Sequence, residues 1–470
     1  METKIIISAT SEETRMGLTE NGRLMEYLVE RSSEKHRVGN IFKGRVNNVV
    51  PGIQAAFIDI GLQQNAFLYL GESNDITEGK SILVQITKDA RGSKGPSATR
   101  ELTLPGRYVV LLPLADYIGV SHKIENKEER NRLKAIIEEA KPDGMGIVIR
   151  TAAIGASEEA LLEDIRHLCA NWRVIEARGK VEKAPATLYR ELDLSVRIVR
   201  DYLTNDVSQI ILDDKAVYGR VCELLKNMPG GTTGRVLLHE KQEDVFAYYG
   251  LREEIDTISD RRIDLSCGGY LVIDYTEAMT VIDVNSGRYS GRENLEETIM
   301  QINREAAVEI ARQLRLRDIG GIIVVDFIDM HTQEHQQEIL QVLQQALSND
   351  KMKPRVQDIT VLNLVEITRK KLARIFQRFC MLPVLSVRVA RVQSRETVAL
   401  EIKRRLRTLL AKPCASRSIL ISANPWMVEW LRAKDLRQWE RELACKIKVE
   451  ADTGLHIETF SILDNTGVDK

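Results

Sequence analysis

Met279-Thr-Val-Ile-Asp-Val-Asn-Ser-Gly287 is the stretch from which the rest of the chain is best read. In a strand, alternate side chains face one way. Asp283 and Asn285 therefore share a face with Val281, while Ile282 and Val284 take the other. Gly287 ends the strand. Downstream, Asn294 followed three residues later by Glu297 has the pattern of a helix-capping box. Ile299, Ile302, Ala306, Ile310 and Leu314 form a stripe at helical spacing. Gly320-Gly321 closes the helix, and Ile322-Ile-Val-Val-Asp-Phe327 reads as a buried strand with Asp326 near its end. Strand, helix, strand is a crossover that leaves the two strands parallel. Asp283 and Asp326 would then lie side by side at carboxyl-terminal strand ends, where open α/β sheets bind ligands.

Two carboxylates at close range repel unless a cation lies between them. Mg²⁺ suits oxygen ligands, keeps waters for chemistry, and can stabilise a phosphodiester during displacement. On pattern alone a second reading stays open, in which Asp283 and Asp326 bond loop amides and serve structure only.

Working outward, Tyr270–Tyr275 pairs with this strand as a hairpin. Upstream, Ile41–Val49, Ala55–Ile60, Asn65–Leu70 and Ser81–Asp89 are short strands separated by Pro51-Gly52, Gly61 and Glu78-Gly79. That spacing predicts a small twisted barrel of the OB type. Phe57 and Phe67 fall on the more polar faces of their strands, where exposed rings can stack single-stranded bases; packing under neighbouring loops is the competing expectation. The loop 88–95 carries Lys88, Arg91 and Lys94, cations for phosphates. Helix Lys127–Glu139, strand Gly146–Arg150 and helix Glu158–Trp172 follow. Arg150 and Thr151 sit at a strand end, where a guanidinium fork beside a hydroxyl suits a terminal phosphate; an ordinary ion pair for Arg150 remains open. Strand Ser208–Leu212 and helix Ala216–Leu225 come next. The last segment reads as helix Glu396–Leu410, strand Ile419–Ser422, helix Pro425–Leu431 and strands Ile447–Glu450 and His456–Ile462.

The 67 Lys and Arg nearly cancel the 68 Asp and Glu, so any nucleic-acid contact must come from local patches or stacking. No run has the length of a membrane span or a signal-peptide core, and the six scattered cysteines form no CxxC pair. A cytoplasmic protein without membrane contact is expected.

Ala278-Met-Thr-Val-Ile-Asp-Val-Asn-Ser-Gly287, Ala311-Arg-Gln-Leu-Arg-Leu-Arg-Asp-Ile-Gly-Gly321 and Val324-Val-Asp-Phe-Ile-Asp-Met330 resemble the catalytic core of the ribonuclease E/G family. The resemblance runs from Val38 to about Lys371 and again from Ser394. It implies an α/β multidomain chain. Residues 1–37 would be strands pairing with 197–260 in a ribonuclease H-like part, with an OB-fold RNA-binding barrel inserted at 38–107. A 5′-phosphate sensor would occupy 108–196, a DNase-like α/β catalytic domain 261–375, a linker 376–395 and a small α/β domain 396–470. It implies a single-strand-specific endoribonuclease for rRNA and tRNA maturation and mRNA decay, favouring 5′-monophosphorylated RNA and leaving 5′-phosphate products. Asp283 and Asp326 would hold catalytic Mg²⁺, with Asn285 positioning a carboxylate or the attacking water. Phe57, Phe67 and Lys94 would contact RNA, and Arg150 and Thr151 the 5′-phosphate. The chain's end near Lys470 points to the branch without a long disordered tail.

One departure stands out. The family's CPxC motif, through which two chains share a zinc, is replaced by Cys380-Met-Leu-Pro-Val-Leu-Ser-Val-Arg-Val-Ala390. A zinc link is therefore not expected, and a homodimer or higher oligomer would need other packing. Two rivals remain. One is a non-catalytic RNA-binding protein with impaired dimerisation. The other is a zinc peptidase using His331-Thr-Gln-Glu-His335, an HxxEH match whose mechanics need both histidines on one helical face.

Overall fold

The computed structural model describes residues 2–32, 37–71, 75–90, 94–203, 206–226, 233–241, 243–287, 295–370, 381–383, 391–410, 418–434 and 436–464. The chain forms two compact units. One comprises residues 1–8, 15–29 and 239–470; the other comprises 9–14 and 30–238.

The second unit holds the barrel. Strands Ile41–Val50, Ala55–Asp59, Ala66–Tyr69, Ser97–Thr99 and Ser81–Lys88 are joined in that order, and Ile41–Val50 pairs back onto Ser81–Lys88 to close the ring. Ala56, Ile58, Ala66, Leu68, Val84 and Ile86 fill its interior. Beside it a four-stranded sheet, centred on Val109–Leu112 and Gly146–Ile149, packs against helices Lys127–Ala140 and Glu158–Val181. The second helix runs nine residues past the expected Trp172. Its added turns carry the ion pairs Glu176–Lys180 and Arg178–Glu182. Lys43, from the barrel, donates to the carbonyls of Gly179 and Glu182, satisfying acceptors that a helix end leaves open. That partner lies 136 residues away in sequence, beyond the reach of a local pattern.

The first unit is built on a six-stranded mixed sheet. Its order is Arg262–Asp264, Tyr270–Tyr275, Met279–Asn285, Gly321–Asp326, Leu364–Arg369, Arg355–Ile359. Tyr270–Tyr275 and Met279–Asn285 form an antiparallel hairpin, and helix Leu295–Leu316 crosses over to place Gly321–Asp326 parallel to Met279–Asn285. The expected cap, Asn294, lies outside the described residues. Ile282, Val284, Ile323, Val325, Val365 and Ile367 form one buried core with Ile302, Ala306, Ile310 and Leu314 of that helix and Ile339 and Leu343 of helix Gln333–Leu347. The opposite face carries Met279, Asp283, Ile322, Asp326, Glu366 and Thr368, all exposed.

The arginines of 311–321 anchor this core. Arg312 pairs with Glu254 and Glu309, Arg315 with Glu20 and Glu26, and Arg317 donates to Gln313 and to the Asp260 carbonyl. Arg312 and Arg315 are thus paired with carboxylates, as burial of a charge requires, while Arg317 keeps one buried Nη2 without a hydrogen-bond partner among the described residues. The small carboxyl-terminal part has strand Ser418–Ala423 between Lys446–Ala451 and Phe460–Asp464. The expected strand at His456 begins four residues later, because Thr459 N donates to His456 O and closes a turn. A helix Leu436–Leu443, unforeseen, buries Trp439.

Candidate active site

The exposed row of the six-stranded sheet begins with period-2 alternation. Thr280, Ile282 and Val284 are buried under the helices, so Asp283 and Asn285 are turned to the open face. On the neighbouring strand Ile323 and Val325 are buried and Asp326 faces out. The register makes Asp283 and Asp326 direct partners across the parallel pair. Two negative charges thus stand one strand spacing apart, roughly 5 Å between backbones.

The local electrostatics follow. Partial burial pushes the Asp326 carboxyl above its ordinary range, and the charges of Asp283 and Asp329 push it further. Asn285 Nδ2 donates to Asp283 Oδ2 at 2.8 Å, which fixes that carboxylate in its own strand. Arg261 forms a bidentate pair with Asp274 (2.6 and 2.7 Å) and also feels the charge of Asp283. The loop after Asp326 is tied down by Asn303, fully buried in the crossover helix; its amide donates to Ile328 O and accepts from Ile328 N. At the other end, Gly287 has φ +61°, and a Cβ there would come within 2.4 Å of Gly268 O. Only glycine fits that close approach.

Asp329 escaped the sequence reading, as did Asn363, whose side-chain amide donates to Asp329 Oδ1 at 3.2 Å. The signal for Asp329 is its place three residues past Asp326, beyond the strand. Two facing carboxylates fit Mg²⁺, which is commonly bound through one or two carboxylates plus water and substrate phosphate. Among the described residues no group of three or more His, Cys, Asp or Glu side chains has metal-binding geometry. A fully protein-caged ion is thus not what this pair resembles.

On the barrel, Phe57 and Phe67 are cross-strand partners with ring centroids 6.0 Å apart, edge to face. Both are half-buried, on the side opposite the barrel core. Lys94 is exposed, and the next residue, Gly95, passes so close to Asn65 O that no Cβ would fit. That crossing brings Lys94 to the edge of the Phe67 strand, where Phe67 N donates to Pro96 O.

Arg150 and Thr151 are adjacent at the end of strand Gly146–Ile149, but their groups are engaged. Arg150 donates to Gly106 O and to Asp201 Oδ1 (2.8 Å), and the Thr151 hydroxyl lies 3.1 Å from that of Ser121. Asp201 is also bound by Arg200. Burial raises its carboxyl, and the two arginines outweigh that, leaving it below its ordinary range.

The HxxEH match does not form a metal site. Thr332 is the cap of helix Gln333–Leu347, so His331 precedes the helix and cannot share a helical face with His335. His335 Nδ1 instead lies 3.0 Å from Glu296. The zinc-link stretch 380–390 falls outside the described residues except for 381–383. No helix among the described residues is long and apolar enough to cross a membrane.

Known proteins place this arrangement. A family model described as Ribonuclease E/G family matches residues 103–372. The chain is 37% identical to Ribonuclease G of Haemophilus influenzae over 487 aligned residues, covering 98% of this chain and 99% of that protein. It is 35% identical to Ribonuclease G of Escherichia coli (strain K12), covering 98% and 100%. Ribonuclease E of Nostoc sp. is 42% identical over 353 residues, 72% of this chain and 51% of that protein. The similarity runs across both units and includes the strands bearing Asp283 and Asp326, and the chain belongs to the ribonuclease E/G family.

Proposed function

We propose that this chain is an endoribonuclease of RNA processing and decay that hydrolyses single-stranded RNA at a Mg²⁺ held by Asp283 and Asp326. The observation that carries the reading is the register pairing of those two carboxylates on the open face of the sheet. Mg²⁺, when bound, supplies positive charge for the developing phosphoryl charge and lowers the pKa of water. The chain's own residues do the rest. Asp283 and Asp326 fix where the scissile phosphate can approach. Asn285 holds the Asp283 carboxylate in one orientation through its 2.8 Å hydrogen bond. Asn303 keeps the backbone after Asp326 in place. Attack of water on phosphorus with cleavage of the P–O3′ bond, the 3′-oxygen leaving and taking up a proton, would give products with a 5′-phosphate and a 3′-hydroxyl. Phe57 and Phe67 offer ring faces and edges to bases, and Lys94 a cation to the backbone.

Arg150 and Thr151 are the proposed 5′-monophosphate contact. Asp201 now occupies the guanidinium as an anion. A phosphate dianion would have to share or replace that carboxylate, so the preference it confers is a difference between two anions.

A short RNA carrying a 5′-monophosphate or a 5′-hydroxyl, with Mg²⁺, with chelator, and with Asp283→Asn, tests the reading. Expected are Mg²⁺-dependent internal cuts, faster on the phosphorylated RNA, and loss of roughly a thousandfold or more in the variant. Equal cutting by Asp283→Asn would overturn the assignment of the carboxylates.

A further inference from the structure

Between strands Arg355–Ile359 and Leu364–Arg369 lies a turn whose tip is Val361-Leu362. Val361 is 102% exposed and Leu362 78%, the two most exposed of the large exposed apolar residues in the described chain apart from Val181 at 83%. Apolar side chains held out in water gain nothing for the fold. Yet the turn is firmly built. Thr360 N donates to Leu364 O (2.9 Å) and Asn363 N to Thr360 O (2.9 Å). The Thr360 hydroxyl accepts from Leu362 N (3.3 Å) and Leu364 N (3.2 Å). Asn363, with φ +61°, turns the chain back.

Its position gives the tip a use. Leu364 is the register partner of Asp326, so the turn stands at the carboxylate end of the sheet. Asp283, Asp326 and the tip strand come in that order across neighbouring strands. Asn363 also reaches Asp329, one of the charges acting on Asp326. A polymer whose phosphate lies over Asp283 and Asp326, and whose backbone crosses the sheet in the direction of strand Leu364–Arg369, meets Val361 and Leu362 next.

We propose that Val361 and Leu362 form a hydrophobic wedge that takes a splayed nucleobase of the RNA beside the scissile phosphate, holding that nucleotide out of any helical stack. This rests on the carboxylate assignment above. Apolar side chains frequently serve in this way where proteins part stacked bases, and such a contact discriminates little between sequences. The wedge thereby makes the site select unstacked RNA, because a paired base cannot leave its stack without cost. The tip residues act as positioning residues; they do not touch the reacting atoms.

The test uses the full chain with Val361→Ser/Leu362→Ser, a change confined to exposed side chains, beside wild type and Asp283→Asn. Substrates are a short single-stranded RNA of mapped cleavage site, and the same RNA with single abasic nucleotides on either side of that site. Expected is a roughly tenfold fall in kcat/KM for the double variant on intact RNA, the size of one lost base contact. An abasic nucleotide on one side should slow wild type by a similar factor and add nothing to the variant's loss. Undiminished cleavage by the double variant overturns the wedge, as does the same additional loss on abasic and intact RNA. A shift in sedimentation of the variant at enzyme concentration, with the activity loss reversed by raising that concentration, assigns the tip to contact between copies instead, and also overturns it. If Asp283→Asn cuts normally, the carboxylate reading fails; if only the tip variant does, that reading stands and the wedge alone fails.

Discussion

Asn285 shows how much one side chain can decide. Its amide is bonded to the Asp283 carboxylate, not to a backbone group, so its work is to orient an anion. With Asp283 as the proposed Mg²⁺ holder, Asn285→Ala should lower kcat about 10- to 100-fold, the usual cost of losing a partner to a metal ligand. It should also raise the Mg²⁺ concentration needed for half-maximal cleavage, while Asn285→Asp changes the charge as well as the orientation. A Mg²⁺ titration of the Ala variant that superimposes on wild type would remove this role. The placement of Asp283, Asn285 and Asp326 was legible in sequence because strand alternation is rigid: buried Ile282 and Val284 leave their neighbours no other side. An ion pair for Arg150 was one of the two open readings, but its partner was not legible. Asp201 lies 51 residues further on, in helix Leu194–Tyr202, and no local pattern announces it.

At the scale of elements, the link from the crossover helix to strand Gly321–Asp326 is an ionic knot. Asp318, with φ +48°, receives Arg369 Nη1 at 2.9 Å, while Arg369 Nε donates to Asp350 at 2.7 Å. Burial dominates at Asp318 and, with Asp350 and Glu26 nearby, raises its carboxyl from 3.8 to about 6 despite Arg369. A carboxyl that holds its proton more tightly when folded stabilises the fold below its unfolded pKa, and that contribution is lost as pH rises through the folded pKa. Between about pH 4 and 6, wild type should therefore lose on the order of 2 kcal/mol relative to Asp318→Asn. Arg369 keeps Asp350 as its partner in that variant. Urea unfolding at several pH values reads the difference, and parallel pH profiles for the two proteins would refute it. Elements with strict periodicity were foreseen nearly to the residue, as with Tyr270–Tyr275 and Lys127–Ala140. The misses have separate causes. The extra turns of Glu158–Val181 depend on Lys43 in the barrel, and helix Leu436–Leu443 is two turns long, with Trp439 its single buried residue.

For the molecule as a whole, the barrel rings and the carboxylates belong to different units, so capture and cutting should separate in kinetics. Phe57→Ala and Phe67→Ala should each weaken RNA binding by about 1–3 kcal/mol. KM should rise accordingly, and kcat on saturating short RNA should stay within about twofold. A fall in kcat with unchanged KM would place the rings in the chemistry instead. A small barrel was expected from strand spacing, whereas its closure by Ile41–Val50 on Ser81–Lys88 is a pairing no local window contains. The one-sided sheet has a further outcome. Because both long helices pack on the Ile282–Val325 side, the exposed side chains Met279, Ile322, Glu366 and Thr368 of the opposite row lie outside that core. Those positions are a natural starting platform for engineering: libraries at Met279, Ile322, Glu366 and Thr368 would vary the surroundings of the proposed carboxylate site on a scaffold whose melting temperature is expected to change little.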